Sequence, residues 1–373
     1  MERIGWVKTL GFAGAIMAYC MGAGFATGQE ALQFFASHGY TGLAGVVLAG
    51  AIFVFYCAYL MKTGSQLKLA DPQDIFQHFC GPVLGKAIRW FSLVLLFCIY
   101  IVMLSAAGAV TEDHTGSDAW IGNLGMATAC VVSMFVGFNG LVKVLKVKGP
   151  LIILVCVSVS LLVTAQNIDS FDANAHKIVT LELPRVSGYW WLAAILYPCF
   201  ITIPMSTFLI RLSNRAKGAR QAMIGGGLGA AIFFICMFAV ALGLISDLES
   251  LHKEVPVLFL ASNMSAWVGN TFAILLFVGI YTTAASILWA VCLNFDPTEA
   301  ARFKRMSILL SIVAFGCSLF PFGKLVGFIF PVSGWLGMGY VFFIAVKALR
   351  NKRGDATGVK IHAAPAKCWK ATR

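Results

Sequence analysis

The stretch that decides the fold is Gly22–Glu30, which reads GAGFATGQE. It interrupts an apolar segment, residues 7–36, that is otherwise long enough to cross a bilayer as one helix. Three glycines within seven residues, from Gly22 to Gly28, lower the cost of leaving the helical conformation. The stretch therefore predicts a membrane-spanning helix that is broken near its middle.

The composition indicates that the whole chain lies in a membrane. Of its 373 residues, 59% are hydrophobic and 12% charged, whereas a soluble domain is about half apolar and about a quarter charged. The apolar segments are too long and too evenly apolar for barrel strands. We therefore expect an all-α membrane protein with about ten transmembrane helices. The predicted spans 1 to 10 cover residues 7–36, 41–63, 84–110, 119–141, 149–166, 188–212, 218–246, 266–293, 305–320 and 324–347.

The distribution of basic residues predicts the orientation. With the N-terminus inside, 24 lysines and arginines fall on the inner side of the membrane and only four on the outer side. A wrong number of spans would scramble this asymmetry. The net charge of +12 is therefore a topology signal and does not indicate nucleic-acid binding. We expect both termini to lie in the cytoplasm.

The spans divide into two halves of five. Because each half has an odd number of spans, the second half is inverted relative to the first, as in transporters built from inverted repeats whose first helices are discontinuous. Span 6 contains Pro198 and Pro204, so we expect it to be discontinuous like span 1. The predicted divisions are 1–166 for the first repeat, 167–187 for an extracellular loop, 188–347 for the second repeat and 348–373 for a basic cytoplasmic tail.

Glu30 is the acidic residue that falls inside a predicted span. A carboxylate in the membrane is costly and is a candidate functional group. It could brace the break in span 1, for example by holding span 6 in place, or it could take up a proton and couple transport to it. The sequence leaves both roles open.

A broken helix also offers backbone groups to a ligand. We expect the outer half of span 1 to begin near Ala26–Gly28 and to point free amides at the midplane, where they could hold a carboxylate. The inner half should end near Ala18–Gly22, where free carbonyls could bind a cation. Hydroxyl ligands could come from Thr282 and Thr283 of span 8, although such hydroxyls often bond the carbonyl one turn back.

The run Met21–Glu30, followed by Ala31–Phe35, resembles the start of YkvI-like bacterial membrane proteins, which belong to the amino acid–polyamine–cation superfamily with the LeuT-type fold. The segment Tyr281–Thr283 in span 8 is consistent with this resemblance. It implies a 5+5 inverted repeat in the bacterial cytoplasmic (inner) membrane, with a small-molecule substrate and a sodium ion bound at the midplane. Phe25 stands where that fold usually has an asparagine.

The resemblance also implies site residues. The sodium ligands would be the carbonyls of Ala18, Met21 and Gly279 and the hydroxyls of Thr282 and Thr283. The substrate would lie against Gly22, Ala23, Gly24, Phe25, Tyr100, Tyr197, Phe200 and Thr202.

Three functions remain open after this comparison. The leading prediction is a secondary active transporter that carries a small amino acid or related amine in symport with sodium, by alternating access. The alternatives are a proton-coupled carrier that uses Glu30, and a nutrient receptor that keeps the fold without transport. We expect no enzyme activity, because the sequence has no Ser/His/Asp or Cys/His arrangement, and no cofactor beyond the coupling ion. The oligomeric state is left open.

Overall fold

The computed structural model describes residues 5–136, 139–294 and 300–356. Its regular elements in these ranges are α-helices and two short 3₁₀ turns, Ala36–His38 and Ser250–His252. The helices are α1 (Trp6–Cys20), α2 (Ala23–Thr27), α3 (Gln29–Phe34), α4 (Tyr40–Leu67), α5 (Asp74–Thr115), α6 (Ala119–Val136), α7 (Asn139–Gln166), α8 (Ile168–Ile178), α9 (Trp190–Ser213), α10 (Ala219–Ser246), α11 (Pro256–Met264), α12 (Ala266–Leu293), α13 (Ala300–Ser318) and α14 (Phe322–Ala356).

Among the described residues, six helices are long and apolar enough to cross a membrane, namely α4, α5, α9, α10, α12 and α14 up to Arg350. The segments Leu151–Gln166 and Ile168–Ile178 form a further candidate that is bent by 100°, and α6 is a shorter apolar helix. The prediction of an all-α, multi-pass membrane protein is confirmed. The count of ten spans stays a prediction.

Span 1 is broken, as predicted, and it is broken twice. Helix α1 ends at Cys20, Gly22 is extended (φ −77°, ψ 178°), and α2 begins at Ala23. A second interruption follows at Gly28, whose φ of +91° lies in the left-handed region that favours glycine. The outer part of the span therefore begins at Ala23, and the prediction that it begins near Ala26–Gly28 was wrong.

Span 6 is not broken, and here the prediction from sequence was wrong. Helix α9 runs without interruption through Pro198 and Pro204. Each proline removes only one backbone donor, and its φ is compatible with a helix. Neighbouring hydroxyls compensate, because Thr202 donates to the Pro198 carbonyl (2.6 Å) and Tyr56 donates to the Thr202 carbonyl (2.7 Å). Other helices bury 83% of the apolar window of α9, against 39% for α4, which holds the helix in one piece.

The helices pack in two groups, with the pieces of span 1 between them. In one group, α4 and α10 pack against each other, α9 packs on α4, and α1 packs on α10. In the other, α5 packs on α6 and α12, and α13 packs on α5 and α6. Short helix α2 contacts α5, α7 and α12, while α3 contacts α9, α10 and α14. The outer part of span 1 is thus the place where both groups meet.

The predicted outer loop and the tail have helical parts. In the loop, α8 bends away from α7, and Arg185 ties the loop to the end of span 1 by donating to the carbonyls of Ser37 (3.0 Å) and Ile178 (2.9 Å). Helix α14 continues to Ala356, so the predicted tail begins as a helix. Residues 357–373 lie outside the described part of the chain. The division of the chain into two repeats stays a prediction.

Candidate functional site

The first break in span 1 frees backbone groups at the centre of the helix packing. The amide of Gly22, which would normally continue the helix onto the carbonyl of Ala18, donates instead to Cys20 (3.0 Å). The Ala18 carbonyl thereby loses its helical partner, and the first amides of α2 have no preceding turn to donate to. This arrangement presents carbonyl oxygens on one side of the break and amide donors on the other, which suits a cation and an anionic group respectively.

The predicted sodium ligands on span 8 are paired with each other. The hydroxyls of Thr282 and Thr283 both donate to the carbonyl of Gly279, at 2.9 and 3.0 Å. This is the local bonding pattern that hydroxyls often adopt in membrane helices. No hydrogen bond among the described residues joins this trio to Ala18 or Met21, although α12 contacts α2 just beyond the break. The sodium site remains a prediction.

Glu30 lies in a tight setting that joins span 1 to span 6. Its side chain is buried (5% exposed), and the phenol of Tyr197 on α9 donates to its Oε2 at 2.7 Å. A Cβ placed on Gly24 would lie only 2.2 Å from the other oxygen, Oε1. Gly24 therefore leaves the space that the carboxylate occupies. No ion pair among the described residues includes Glu30.

This carboxylate has two chemical options. A buried, unpaired anion costs several kcal/mol, so such a group is stabilised by a bound cation or by taking up a proton. The bond to Tyr197 also supports the bracing role, because it fastens α3 to α9 across the break. Bracing and proton uptake are compatible with one geometry.

Aromatic rings fill the space around this pair. Phe200 stacks on Phe330 of α14 with ring centroids 4.6 Å apart and lies 5.7 Å from Phe34. Tyr197 meets Phe34 edge-on at 5.0 Å, and Phe25 packs on Phe233 of α10 at 5.2 Å. The predicted substrate residues Phe25, Tyr197 and Phe200 are thus brought together with Gly24 in one buried cluster.

Two predicted substrate residues have other partners. Tyr100 is fully buried and shares a hydrogen bond of 2.9 Å with Ser311 of α13, in the second packing group. The hydroxyl of Thr202 is used within its own helix, on Pro198. Of the remaining positions, Gly22 forms the break itself, and Ala23 is a buried residue that starts α2. The contacts of Tyr100 do not connect it with the Glu30 pair.

A polar network at the outer end of span 1 was missed from sequence. The side-chain amide of Gln29 donates to the carbonyls of Lys253 (2.9 Å) and Glu254 (3.1 Å), in the loop before α11. The amide of Gln33 donates to Gln29 (2.8 Å) and to the carbonyl of Gly323 at the start of α14 (2.8 Å). Two glutamines four residues apart in an apolar span were the available signal, because they share one helix face.

Comparisons with known proteins come from sequence and from structure. No protein-family model matches the chain. The uncharacterized membrane protein YkvI of Bacillus subtilis is 24% identical over 333 residues, which cover 89% of this chain and 94% of that protein. The uncharacterized protein YyaD of the same organism is 24% identical over 324 residues, covering 87% and 92% respectively.

Solved structures with the same arrangement of helices are transporters by name. The inward-facing conformation of Mhp1 has a TM-score of 0.59 at 12% identity, over 90% of this chain and 75% of that one. The outward-open state of a Na⁺-coupled sialic acid symporter has a TM-score of 0.54 at 13% identity, over 88% and 78%. A variant of the Eremococcus coleocola manganese transporter has a TM-score of 0.52 at 12% identity, over 97% and 91%.

These likenesses bear on the predicted family. At such low identity the solved structures establish the fold, and the two curated relatives cover nearly the whole chain. The expectation that the chain is not an enzyme agrees with these neighbours, which are described as membrane proteins and transporters. The sequence relatives and the structural neighbours together confirm that the chain is a YkvI-like membrane protein with a LeuT-type fold.

Proposed function

We propose that this chain is a secondary transporter of the bacterial cytoplasmic membrane, with both termini inside, that carries a small amino acid or a related amine together with sodium. The observation that carries the proposal is the break at Met21–Gly22, which separates the carbonyl of Ala18 from its helical partner and exposes the first amides of α2. Broken helices that present such groups at the midplane are the binding elements of inverted-repeat carriers.

The proposed ligands divide between ion and substrate. Sodium would take the carbonyls of Ala18 and Met21 together with Gly279, Thr282 and Thr283, once the two hydroxyls turn from the Gly279 carbonyl. The substrate carboxylate would lie at the first amides of α2, within the cluster of Phe25, Tyr197 and Phe200. Alternating access would then move one helix group against the other around this site. The sodium-coupled symporter among the structural neighbours supports this choice of ion.

Uptake into proteoliposomes tests the proposal. We expect an amino acid or amine from a panel to accumulate under an imposed sodium gradient and not under a proton gradient. Absence of accumulation with either gradient, while a solute still raises the melting temperature, would favour the nutrient receptor instead.

A variant of span 8 tests the ion site. We expect Thr283→Ala to weaken the apparent sodium affinity about tenfold or more, measured as sodium-dependent thermal stabilisation. Ser286→Ala is the matched control, because its hydroxyl bonds the carbonyl of Thr282 one turn away, outside the proposed ligand set. Equal sodium affinity in Thr283→Ala and wild type would contradict the assignment.

A proton-coupled carrier is the second candidate, and the setting of Glu30 favours it. The carboxylate is buried, receives a single hydroxyl donor and has no ion-pair partner among the described residues. In this case uptake would follow the proton gradient. Glu30→Gln would abolish gradient-driven accumulation while keeping substrate exchange across the membrane, and unchanged accumulation would exclude the candidate.

A further inference from the structure

Helix α3 has two different faces. Glu30 and Phe34, four residues apart, point toward Tyr197 on α9. Gln29 and Gln33, also four apart, point toward the loop before α11 and the start of α14. One short, rigid element therefore connects the buried carboxylate with the outer polar network.

The polar network closes the outer end of span 1. Gln29 (2% exposed) and Gln33 (fully buried) bind two other parts of the chain, and these parts are themselves joined by the amide of Gly323, which donates to Glu254 at 2.6 Å. Every residue from Ala23 to Gly39 is buried. The outer half of span 1 therefore offers no contact with the outer solution in this arrangement.

The surroundings of Glu30 offer little stabilisation to an anion. On α9 the titratable neighbour is the phenol of Tyr197, and at the end of α1 it is the thiol of Cys20. Helix α10 brings the apolar rings of Phe233 and Phe234 to this region. The charged or titratable groups on the other elements next to α3 are Lys253 and Glu254 in the loop, Lys324 on α14 and His38 in the turn after α3.

We propose that α3 links the charge of Glu30 to this outer network, so that loss of the Glu30 proton releases Gln29 and Gln33 and opens the outer end of span 1. Protonated Glu30 fits the closed arrangement, because a neutral carboxyl beside Gly24 and Tyr197 needs no cation. The anion is better solvated when α3 moves away from α9 and admits water. Opening and proton release are then linked, each favouring the other. The proposal rests on the proposed function only in requiring that the outer end opens.

The test measures opening without substrate or sodium. Cys156 of α7 is fully buried with its Sγ 3.7 Å from the carbonyl of Ala26, so opening of α2 and α3 should expose it. Intact cells are treated from outside with a membrane-impermeant maleimide, and labelling of individual cysteines is read by mass spectrometry. Cys57, fully buried between α4 and α10, serves as the internal control for unfolding.

Removal of the network should open the protein. For Gln29→Ala combined with Gln33→Ala we expect Cys156 to be labelled about tenfold faster, an effect equivalent to about 1.4 kcal/mol, while Cys57 stays protected. If Cys57 also reacts, Gly327→Ala decides in its place, because the added Cβ would lie 2.9 Å from Oε1 of Gln33 and presses on the network from α14. Wild-type labelling of Cys156 in a folded variant would overturn the gate assignment.

Glu30→Gln tests the link to charge, because it mimics the protonated form. The ratio of wild-type to Glu30→Gln labelling rates cancels the pH dependence of the thiol itself. We expect this ratio to rise about tenfold from acidic to alkaline pH, as the wild-type protein loses the Glu30 proton and opens. A ratio that does not change with pH would overturn the link. Neither result depends on whether sodium drives uptake, so the proposed function can fail separately.

Discussion

Spans 1 and 6 face each other in the bundle, and both contain residues that disfavour a regular helix. Span 1 has glycines and leaves the helix at Gly22 and again at Gly28. Span 6 has Pro198 and Pro204 and stays helical throughout. Glycine removes a side chain and permits a φ of +91°, so the chain can turn and another group can approach closely. Proline removes one donor and keeps φ in the helical range, which enclosing helices can compensate.

The largest effect should come from filling the space at Gly24. In Gly24→Ala the new Cβ would lie 2.2 Å from Oε1 of Glu30, so the carboxylate must move and lose the phenol of Tyr197. We expect a loss of about 2–4 kcal/mol in stability from overpacking and the broken hydrogen bond. Thermal unfolding in detergent measures it. Gly14→Ala is the control on the same span, since nothing lies within 4 Å of its Cβ.

A paired substitution tests the contrast between glycine and proline directly. Gly28→Ala places a side chain at a left-handed φ, with its Cβ 2.8 Å from Val257, and should cost about 2–3 kcal/mol. Pro198→Ala in the continuous helix α9 should change stability by less than about 1 kcal/mol, since it restores a donor without moving the helix. A larger loss for Pro198→Ala than for Gly28→Ala would refute the explanation given for the two spans.

The hydroxyl that joins the two spans should have a moderate effect. Tyr197→Phe removes the donor to Glu30 and should cost about 1–2 kcal/mol. A double-mutant cycle with Glu30→Gln isolates the pair, and its coupling energy should be close to zero if the hydroxyl acts elsewhere. The readout is again thermal unfolding.

The smallest effect concerns pH at the turn after span 1. Burial, with Arg185 nearby, lowers the pKa of His38 from its ordinary 6.5 to about 4. As pH falls from about 6.5 to about 4, the unfolded chain binds a proton that the folded chain resists, so stability decreases in this window. We expect His38→Gln to reduce this decrease, measured by melting temperature against pH. Replacement of the exposed His114 should leave the profile unchanged.

The sequence predicted the site in part. It indicated the break at Gly22 and singled out Glu30, because a glycine-rich stretch and an acid within an apolar run are visible in one dimension. It also suggested that Glu30 holds span 6, and Tyr197 is the residue that it contacts. Tyr100 was assigned to the same site through the family resemblance, yet its hydrogen bond goes to Ser311. Gln29 and Gln33 were overlooked, because their partners are far away in the chain.

The amino-acid sequence by itself determined that this protein is a helical membrane protein and that span 1 leaves the helix at Gly22. Hydrophobicity and the conformational freedom of glycine are local properties, which neighbours in the chain do not override. Only the tertiary structure decided that span 6 stays continuous and that Gln29 closes the outer end. These outcomes depend on atoms brought in from elsewhere, since the donor to Glu30 lies 167 residues away and the carbonyl that Gln29 binds lies 224 residues away.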